Sequence, residues 1–298
     1  MKIIITGASG FVGLNLSKYL ESQNCDVKPL SLRSNWALDK DSNVLIHLAG
    51  KAHDTANTSD ENEYFKINTD LTKKVFDEFL DSGITDFIYF SSVKATADTI
   101  DYILDEDHFS NPKTPYGKSK LSAEEYLLSK VLPENKRLFI IRPCMIHGPG
   151  NKGNLNLLYK IVDKGLPWPL AAFENKRSFL SIDNLNFLIL QILKNKQIQS
   201  GIYNFADDDF ISTNKLIKII GETTGRKARL WNISSGIISF SAKIGDKISL
   251  PLNSERLKKL TESYRVSNRK IKIALGISRL PVSAEEGLIK TIKSFQHK

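Results

Sequence analysis

The sequence predicts an α/β fold, with a doubly wound parallel sheet covered by helices on both faces and a smaller C-terminal α/β lobe. Short apolar runs alternate with segments of helical periodicity through the first half of the chain, which is typical of parallel strands joined by helical crossovers. The length of 298 residues suits one such unit with an added lobe and allows a large buried core.

Apolar runs that are too short for helices predict the strands of this sheet. They cover residues 3–5, 27–32, 44–49, 87–90 and 138–141. Between these runs apolar residues recur every three or four positions, as in Val12, Leu16 and Tyr19, which predicts helices that pack on the sheet. Residues 33–43 leave little room for a strand with its crossover helix, so we expect this part of the unit to be abbreviated.

The composition changes after Pro143, where glycines and prolines mark loops near 148–153 and 165–169. We therefore predict a sheet domain formed by residues 1–145 with segments returning near 180–206, and a lobe formed mainly by residues 146–298. Helical patterns follow over residues 155–162, 185–193, 216–220 and 285–295, with an extended segment over 202–206.

Composition excludes several classes of protein. Cys25 and Cys144 lie far apart and belong to no cluster of metal-ligating residues, so neither a disulfide nor a metal site is expected. The apolar run at the N-terminus is too short for a signal peptide, and no stretch is apolar enough to span a membrane, so we expect a cytoplasmic protein without a membrane partner. The net charge of +9 lacks the pattern of a nucleic-acid module, and part of it can attract an anionic substrate.

The first apolar run leads directly into a glycine-rich turn and then into a helix. The turn reads Gly7-Ala8-Ser9-Gly10-Phe11-Val12-Gly13. This order of strand, turn and helix predicts a Rossmann-like sheet whose turn binds a dinucleotide, although an ordinary glycine turn is the alternative. Gly7 permits the tight turn, Gly10 lets the backbone approach the pyrophosphate, and Gly13 allows the helix to lie close to the strand. Ser9, Phe11 and Val12 are expected to line the cofactor with them.

The end of the second strand distinguishes the two nicotinamide cofactors. A carboxylate at this position binds the ribose 2′-OH of NAD, whereas an arginine accommodates the 2′-phosphate of NADP. The sequence has no carboxylate here and reads Leu30-Ser31-Leu32-Arg33. Ser31 and Arg33 therefore favour NADP(H), while NAD(H) stays open because a lone surface arginine is common.

A Tyr and a Lys at helical spacing predict the catalytic centre. Thr114 and Pro115 are typical of a helix start, so Tyr116 and Lys120 share one face of the helix that follows. We expect the Lys120 ammonium to lower the pKa of the Tyr116 phenol, which would make it a usable acid and base. Ser92, at the end of the strand over 87–90, is placed to hydrogen-bond a substrate oxygen. The alternatives are a chance surface pair and a serine that caps its own strand end.

These motifs together resemble the extended short-chain dehydrogenase/reductases in order and spacing. They are the glycine turn, His47-Leu48-Ala49-Gly50, Asn68, Ser91-Ser92, Tyr116-x-x-x-Lys120, and Arg142-Pro143 through Gly148-Pro149-Gly150. The resemblance implies a catalytic group of Ser92, Tyr116 and Lys120, in which Lys120 also holds the nicotinamide ribose. It further implies a set of residues that line the cofactor and a region after Pro143 that closes over a nucleotide-sugar. The cofactor set is Leu48, Ala49, Gly50, Asn68, Ser91, Tyr116, Lys120 and Pro143.

Within this family, Val93 and Lys94 follow the catalytic serine where dehydratases carry an Asp-Glu pair, so a 4,6-dehydratase is rejected. Segments 91–94, 150–154 and 175–179 look like the branch of UDP-4-keto-6-deoxy-hexosamine 4-reductases and relatives described as 4-epimerases. We expect Lys152 and Arg177 to bind the diphosphate of a UDP-linked sugar, and Asn156 to contact the base.

The expected reaction is NADPH-dependent reduction of the C4 ketone, in the synthesis of surface-polysaccharide precursors. An NAD-dependent 4-epimerase and a non-catalytic NADP-sensing scaffold are the alternatives. A homodimer is left open.

Overall fold

The computed structural model describes residues 1–51, 60–151, 154–248 and 253–296. In chain order, its strands are β1 (Lys2–Thr6), β2 (Asp26–Leu30), β3 (Val44–His47), β4 (Asp86–Phe90), β5 (Ile103–Leu104), β6 (Arg137–Pro143), β7 (Met145–His147), β8 (Arg177–Ser181), β9 (Gly201–Phe205), β10 (Phe210–Ile211) and β11 (Arg265–Val266). The α-helices are α1 (Phe11–Ser22), α2 (Glu61–Tyr64), α3 (Leu71–Leu80), α4 (Pro115–Ser129), α5 (Asn154–Asp163), α6 (Ile182–Lys194), α7 (Thr213–Thr224), α8 (Ser235–Ile248), α9 (Ser254–Thr261), α10 (Arg269–Leu275) and α11 (Ala284–Gln296).

Six strands form one parallel sheet in the order β2-β1-β3-β4-β6-β9. The chain runs from β1 outward to β2 and then returns to β3 on the other side of β1. The strand order therefore reverses between β1 and β3, which opens a crevice at their carboxyl ends. The predicted α/β class and parallel sheet are confirmed.

The expected abbreviation of the unit after β2 is also confirmed. Residues 31–43 form neither a helix nor a strand and lead directly from β2 to β3. Two predicted strands were too long, since β2 ends at Leu30 and β3 ends at His47. Their last predicted residues lie in the loops at the crevice, because an apolar run does not mark where pairing with a neighbouring strand stops.

Alternation along the strands divides the core between the two faces of the sheet. Ile3 and Ile5 lie on the face covered by α1 and α6, where Leu16 and Leu185 are fully buried. The opposite face carries Ile4 and is covered by α3 and α4. The periodicity that predicts helices on both faces is therefore confirmed for α1 and α3.

A third apolar cluster lies beyond the main sheet. It is built from α5, α7 and α11, with Trp168 from the loop after α5 and Ile238 from α8, and it packs beside the short sheet of β10, β8 and β7. The helices predicted after Pro143 are all present with wider bounds, and the largest difference is α7, which spans Thr213–Thr224 where residues 216–220 were predicted. The division of the chain into two domains stays a prediction. In the described part of the chain, no helix has the length and apolarity needed to cross a bilayer.

Candidate functional site

The predicted cofactor and catalytic residues converge at the carboxyl edge of the parallel sheet. Gly7 follows β1, Leu48 follows β3, Ser91 follows β4, and Pro143 ends β6. Neighbouring parallel strands end at the same edge, so these positions adjoin one another along the sheet. Ligands of open α/β sheets bind at this edge, where the strand order reverses.

The glycine turn packs closely against the loop after β3 and against its own backbone. Gly7 has a φ of +69°, and a Cβ there would stand 2.7 Å from the backbone nitrogen of Ala49. A Cβ on Gly13 would stand 2.4 Å from the carbonyl oxygen of Gly7. Neither position can therefore carry a side chain without displacing the turn.

The helix that follows this turn begins without a side-chain cap. Gly10 is the N-cap of α1, and no side-chain hydrogen bond satisfies the first N–H groups of the helix. Such an end attracts an anion, because its N–H groups point outward and the helix dipole is positive there. The turn therefore fits a pyrophosphate. Ser9 is exposed beside it, while Phe11 and Val12 are half-buried in the first turn of α1.

Asn68 ties the loop after β3 to the catalytic helix. It lies in a π-helical turn, Phe65–Asp70, and its Oδ1 accepts from the backbone N–H of Lys51 at 2.7 Å. Its Nδ2 donates to the carbonyl of Lys51 at 3.2 Å and to the hydroxyl of Ser119 in α4 at 3.0 Å. A Cβ on Gly50 would lie 3.2 Å from Lys120 Nζ, so Gly50, Asn68 and Lys120 meet at one place.

Helix α4 presents Tyr116 to Ser92. The helix begins as predicted, since Thr114 Oγ1 accepts from Gly117 N at 3.2 Å and Pro115 occupies the first turn. The Tyr116 phenol lies close enough to the Ser92 hydroxyl for that hydroxyl to lower its pKa. Ser92 Oγ also accepts from the backbone N–H of Lys94 at 3.2 Å, so the serine caps the short 3₁₀ turn after β4 as well.

The pKa values of Tyr116 and Lys120 differ from those that the sequence predicts. Burial raises the pKa of Tyr116, the nearby Ser92 hydroxyl lowers it, and the charge of nearby Tyr64 raises it. Burial lowers the pKa of Lys120 to about 8, while the Glu124 carboxylate raises it. Lys120 Nζ donates to the carbonyl of Phe90 at 2.9 Å, so its proton is directed to the end of β4. Because burial raises this pKa, the Tyr116 phenol is protonated at neutral pH, and the lowering expected from Lys120 is not observed.

Sequence reasoning missed a buried ion pair directly behind this group. Arg142, near the end of β6, donates from Nε to both carboxylate oxygens of Glu124 at 3.0 and 3.1 Å, and both side chains are almost fully buried. Ser91 donates to the same carboxylate. Glu124 lies one turn after Lys120, so the spacing of Tyr116, Lys120 and Glu124 at every fourth residue was the available signal.

A second set of cations lies beyond Ser92. Lys94 Nζ stands 4.1 Å from the centre of the Tyr264 ring, and the Tyr264 hydroxyl donates to the carbonyl of Ala97 at 2.6 Å. Burial lowers the pKa of Lys94, the carboxylates of Glu262 and Asp98 raise it, and the positive charges of Arg177 and Lys258 lower it. Arg177, which was predicted to bind a diphosphate, therefore lies near Lys94, and its Nη1 donates to the carbonyl of Lys259 at 2.9 Å.

The remaining predicted residues are less closely connected to this centre. Asn156 donates to the carbonyl of Asn151 at 2.8 Å in the loop before α5. Ser31 and Arg33 follow β2 directly and are exposed, with the Arg33 N–H 3.5 Å from the Ser31 hydroxyl. Lys152 lies outside the described residues.

This site and fold match a known family of enzymes. The sequence model of the NAD dependent epimerase/dehydratase family matches residues 3–206, which is more than half of the chain. The chain belongs to this family, and it is an NAD(P)-dependent enzyme of the extended short-chain dehydrogenase/reductase type.

Three curated relatives show the range of the family around this chain. The UDP-glucose 4-epimerase of Vibrio cholerae is 26% identical over 98% of this chain and 95% of its own length. The N-acetyl-alpha-D-glucosaminyl-diphospho-ditrans,octacis-undecaprenol 4-epimerase of Escherichia coli O157:H7 is 29% identical over 76% of this chain and 73% of its own. The UDP-2-acetamido-2,6-beta-L-arabino-hexul-4-ose reductase of Pseudomonas aeruginosa is 31% identical over 52% of this chain and 38% of its own.

Solved structures share the whole fold. UDP-N-acetylglucosamine 4-epimerase from Bacillus cereus superposes with a TM-score of 0.79 at 18% identity, covering 100% of both chains. The structure of RMD from Pseudomonas aeruginosa, complexed with NADPH, gives 0.75 at 20% identity and covers 100% of this chain and 99% of the other. The family thus contains nucleotide-sugar 4-epimerases and 4-reductases that use a nicotinamide cofactor.

Proposed function

We propose that the protein reduces the C4 ketone of a nucleotide-linked deoxy-hexosamine, with UDP as the nucleotide and NADPH as the cofactor. The observation that carries the proposal is that Tyr116 and Ser92 lie together at the sheet edge where Lys120 Nζ donates to the carbonyl of Phe90 and the glycine turn also lies. This arrangement supports proton transfer to a substrate oxygen held beside a nicotinamide.

The three side chains have separate roles in the proposed reaction. A bound nicotinamide would supply the hydride to the sugar carbon. Tyr116 gives its proton to the oxygen that becomes a hydroxyl, and its raised pKa supports this role because the phenol is protonated at neutral pH. Ser92 hydrogen-bonds the same oxygen and orients it toward Tyr116. Lys120 supplies a positive charge near neutral pH, since its pKa is about 8.

The residues that follow β2 support reduction as the direction of the reaction. No carboxylate stands in the four residues after β2, where Ser31 and Arg33 are exposed to a ligand. A guanidinium at this place binds a 2′-phosphate, which favours NADPH and therefore reduction.

The substrate is proposed from the relatives and from the cations near Ser92. The curated relatives act, by their names, on sugars joined to a diphosphate, carried by a nucleotide in two cases and by a polyprenol in the third. Arg177 and Lys152 are proposed to bind that diphosphate, and Asn156 to contact the base. We propose further that residues after 146 form the lobe over the sugar and that the enzyme works in the cytoplasm on polysaccharide precursors.

An NAD-dependent 4-epimerase is the second candidate. The epimerase of Vibrio cholerae matches nearly the full length of both chains, which favours it specifically. An epimerase would use Tyr116 first to remove a proton and later to return one, with NAD retained between the two steps. A scaffold that senses NADP without turnover is the least supported reading, because it gives the Tyr116 phenol and Lys120 no task.

Two experiments test the proposal. Mass analysis of small molecules released from the denatured, as-purified protein should find NADP(H) or no cofactor, whereas stoichiometric NAD would favour the epimerase. NADPH oxidation is then followed with UDP-linked 4-keto sugars, with a polyprenyl-linked sugar included in the panel.

Tyr116→Phe should keep NADPH binding and lose about 100-fold or more in turnover. Tyr126→Phe is the matched control, because it removes a phenol from the same helix that bonds Asp77 at 2.7 Å instead of facing Ser92. Equal turnover of the two variants would refute the assignment of Tyr116.

A further inference from the structure

Helix α8 has apolar side chains on two faces, and the part of the chain that the structure describes covers only one of these faces. Ile238 and Ala242 point into the third apolar cluster and are buried. On the outer face Ile237, Phe240 and Ile244 are 61%, 66% and 40% exposed. These three residues are spaced three and four apart, so they form one stripe along the helix.

The outer row of Ile237, Phe240 and Ile244 is called the α8 stripe below, and Trp231 in the loop before α8 is a further exposed apolar side chain. Trp231 is 54% exposed. Scattered single apolar residues on a surface are ordinary, but a contiguous group of large ones marks an interaction site. The α8 stripe therefore needs an explanation that core packing does not supply.

The helix is held firmly, so the stripe is presented on a fixed surface. The loop before it pairs with the segment after α5, where Trp168 N donates to the carbonyl of Arg229 at 2.8 Å. At its other end the Asp246 carboxylate accepts from Ser254 N at 2.9 Å and from Ser254 Oγ at 2.6 Å, which joins α8 to α9. The stripe is thus a defined face.

The chain around the stripe is strongly basic. Residues 226–262 contain eight Lys or Arg against three Asp or Glu, so one eighth of the chain carries +5 of the total net charge of +9. The described members of this basic set are all exposed, both before α8, within it, and on α9, which packs against it. They are Arg226, Lys227, Arg229, Lys243, Arg256, Lys258 and Lys259.

We infer that the α8 stripe is a docking surface for an anionic lipid bilayer. An amphipathic helix with large apolar side chains outward and basic residues beside them lies in the plane of a membrane interface, and Trp favours that interface. Anionic headgroups attract each nearby Lys or Arg. A second copy of this chain fits less well, since a two-fold contact would bring one basic surface against another.

This inference does not depend on the proposed reaction. A membrane partner was not expected from the sequence because no segment spans a bilayer, but an interfacial helix requires no spanning segment. Docking would hold the protein at the surface where lipid-linked acceptors are found.

Co-sedimentation with vesicles tests the inference on the full chain. Wild-type protein should sediment with vesicles of phosphatidylcholine and phosphatidylglycerol, and should stay in solution with phosphatidylcholine alone or at high salt. The variant Ile237→Ser, Phe240→Ser, Ile244→Ser should lose this binding. Phe109→Ser with Val131→Ser is the matched control, because both residues are more than 80% exposed elsewhere on the chain, and it should bind as the wild type does.

A second variant guards against unfolding of the first. Arg229→Glu with Lys243→Glu changes only exposed side chains and should weaken vesicle binding about 10-fold or more. Melting temperature and nicotinamide binding are measured for every variant. Failure of the wild type to bind anionic vesicles, or unchanged binding by both the stripe and charge variants, would overturn the inference. So would a concentration-dependent dimer that the stripe variant abolishes without any vesicle binding.

Discussion

Gly117 sets the distance between the catalytic helix and the loop that carries Ser92. A Cβ at this position would lie 2.4 Å from the carbonyl oxygen of Lys94 and 2.7 Å from Pro112 Cβ. Both neighbours belong to packed segments, and Lys94 N donates to Ser92 Oγ. We therefore predict that Gly117→Ala moves the Ser92 loop away from Tyr116.

The size of the effect follows from the contact distance. Ordinary carbon contacts begin at 3.4 Å, so the helix and the loop must separate by about 1 Å. A displacement of this size at a catalytic group costs about 100-fold in kcat/KM. The folded state should change little, because overpacking costs about 1–3 kcal/mol while replacing Gly by Ala in a helix recovers up to about 1 kcal/mol.

The assay compares kcat/KM for the 4-keto sugar with the free energy of unfolding in urea, in the same preparation. Gly83→Ala is the matched control, since a Cβ there would meet nothing closer than 3.7 Å, and it should leave both quantities unchanged. Near-normal kcat/KM in Gly117→Ala, or a loss that only tracks the fraction unfolded, would refute this reasoning.

Three further predictions test the cofactor site and the buried ionisable groups. Arg33→Ala should weaken NADPH about 10- to 100-fold in binding titrations and leave NADH unchanged, and equal losses would contradict the 2′-phosphate role. kcat/KM should fall as the pH rises through about 8, where Lys120 loses its proton, and Lys120→Arg should move that fall to higher pH. A fall at the same pH in the variant would show that another group is titrating. His47, buried between Thr6 and Thr72, has a pKa lowered from 6.5 to about 3, so the neutral imidazole stabilises the fold above pH 6.5 and the free energy of unfolding falls by about 2 kcal/mol from pH 7 to pH 5. In urea unfolding, the free energy of unfolding of His47→Gln should lack this part of the pH dependence. The same pH dependence in the variant and the wild type would contradict the prediction.

Local patterns predicted the parts of this protein that depend on local geometry. The glycine turn requires specific backbone angles within seven residues, so its strand, turn and helix could be placed from the sequence. The start of α4 was predicted for the same reason, because Thr114 and Pro115 satisfy requirements that belong to one helix end.

Features that depend on tertiary register could not be predicted in this way. Glu124 and Arg142 meet because a helix and a strand pack in one particular alignment, and each residue alone is typical of a surface. The pKa of Tyr116 depends on how deeply α4 is buried, which the four-residue spacing does not contain. Helix α8 has apolar residues on both faces, and its sequence alone does not say which face is covered.

The missing strand after β2 has a consequence for how the protein avoids self-association. Among the residues that the structure describes, β2 pairs with β1 alone and so forms the open edge of the sheet. Pro29 lacks an N–H to offer a further strand, and Asp26 and Lys28 add charges along the same short edge. Another chain therefore finds few donors to pair with, and the abbreviated unit ends in a strand that resists amyloid-like growth.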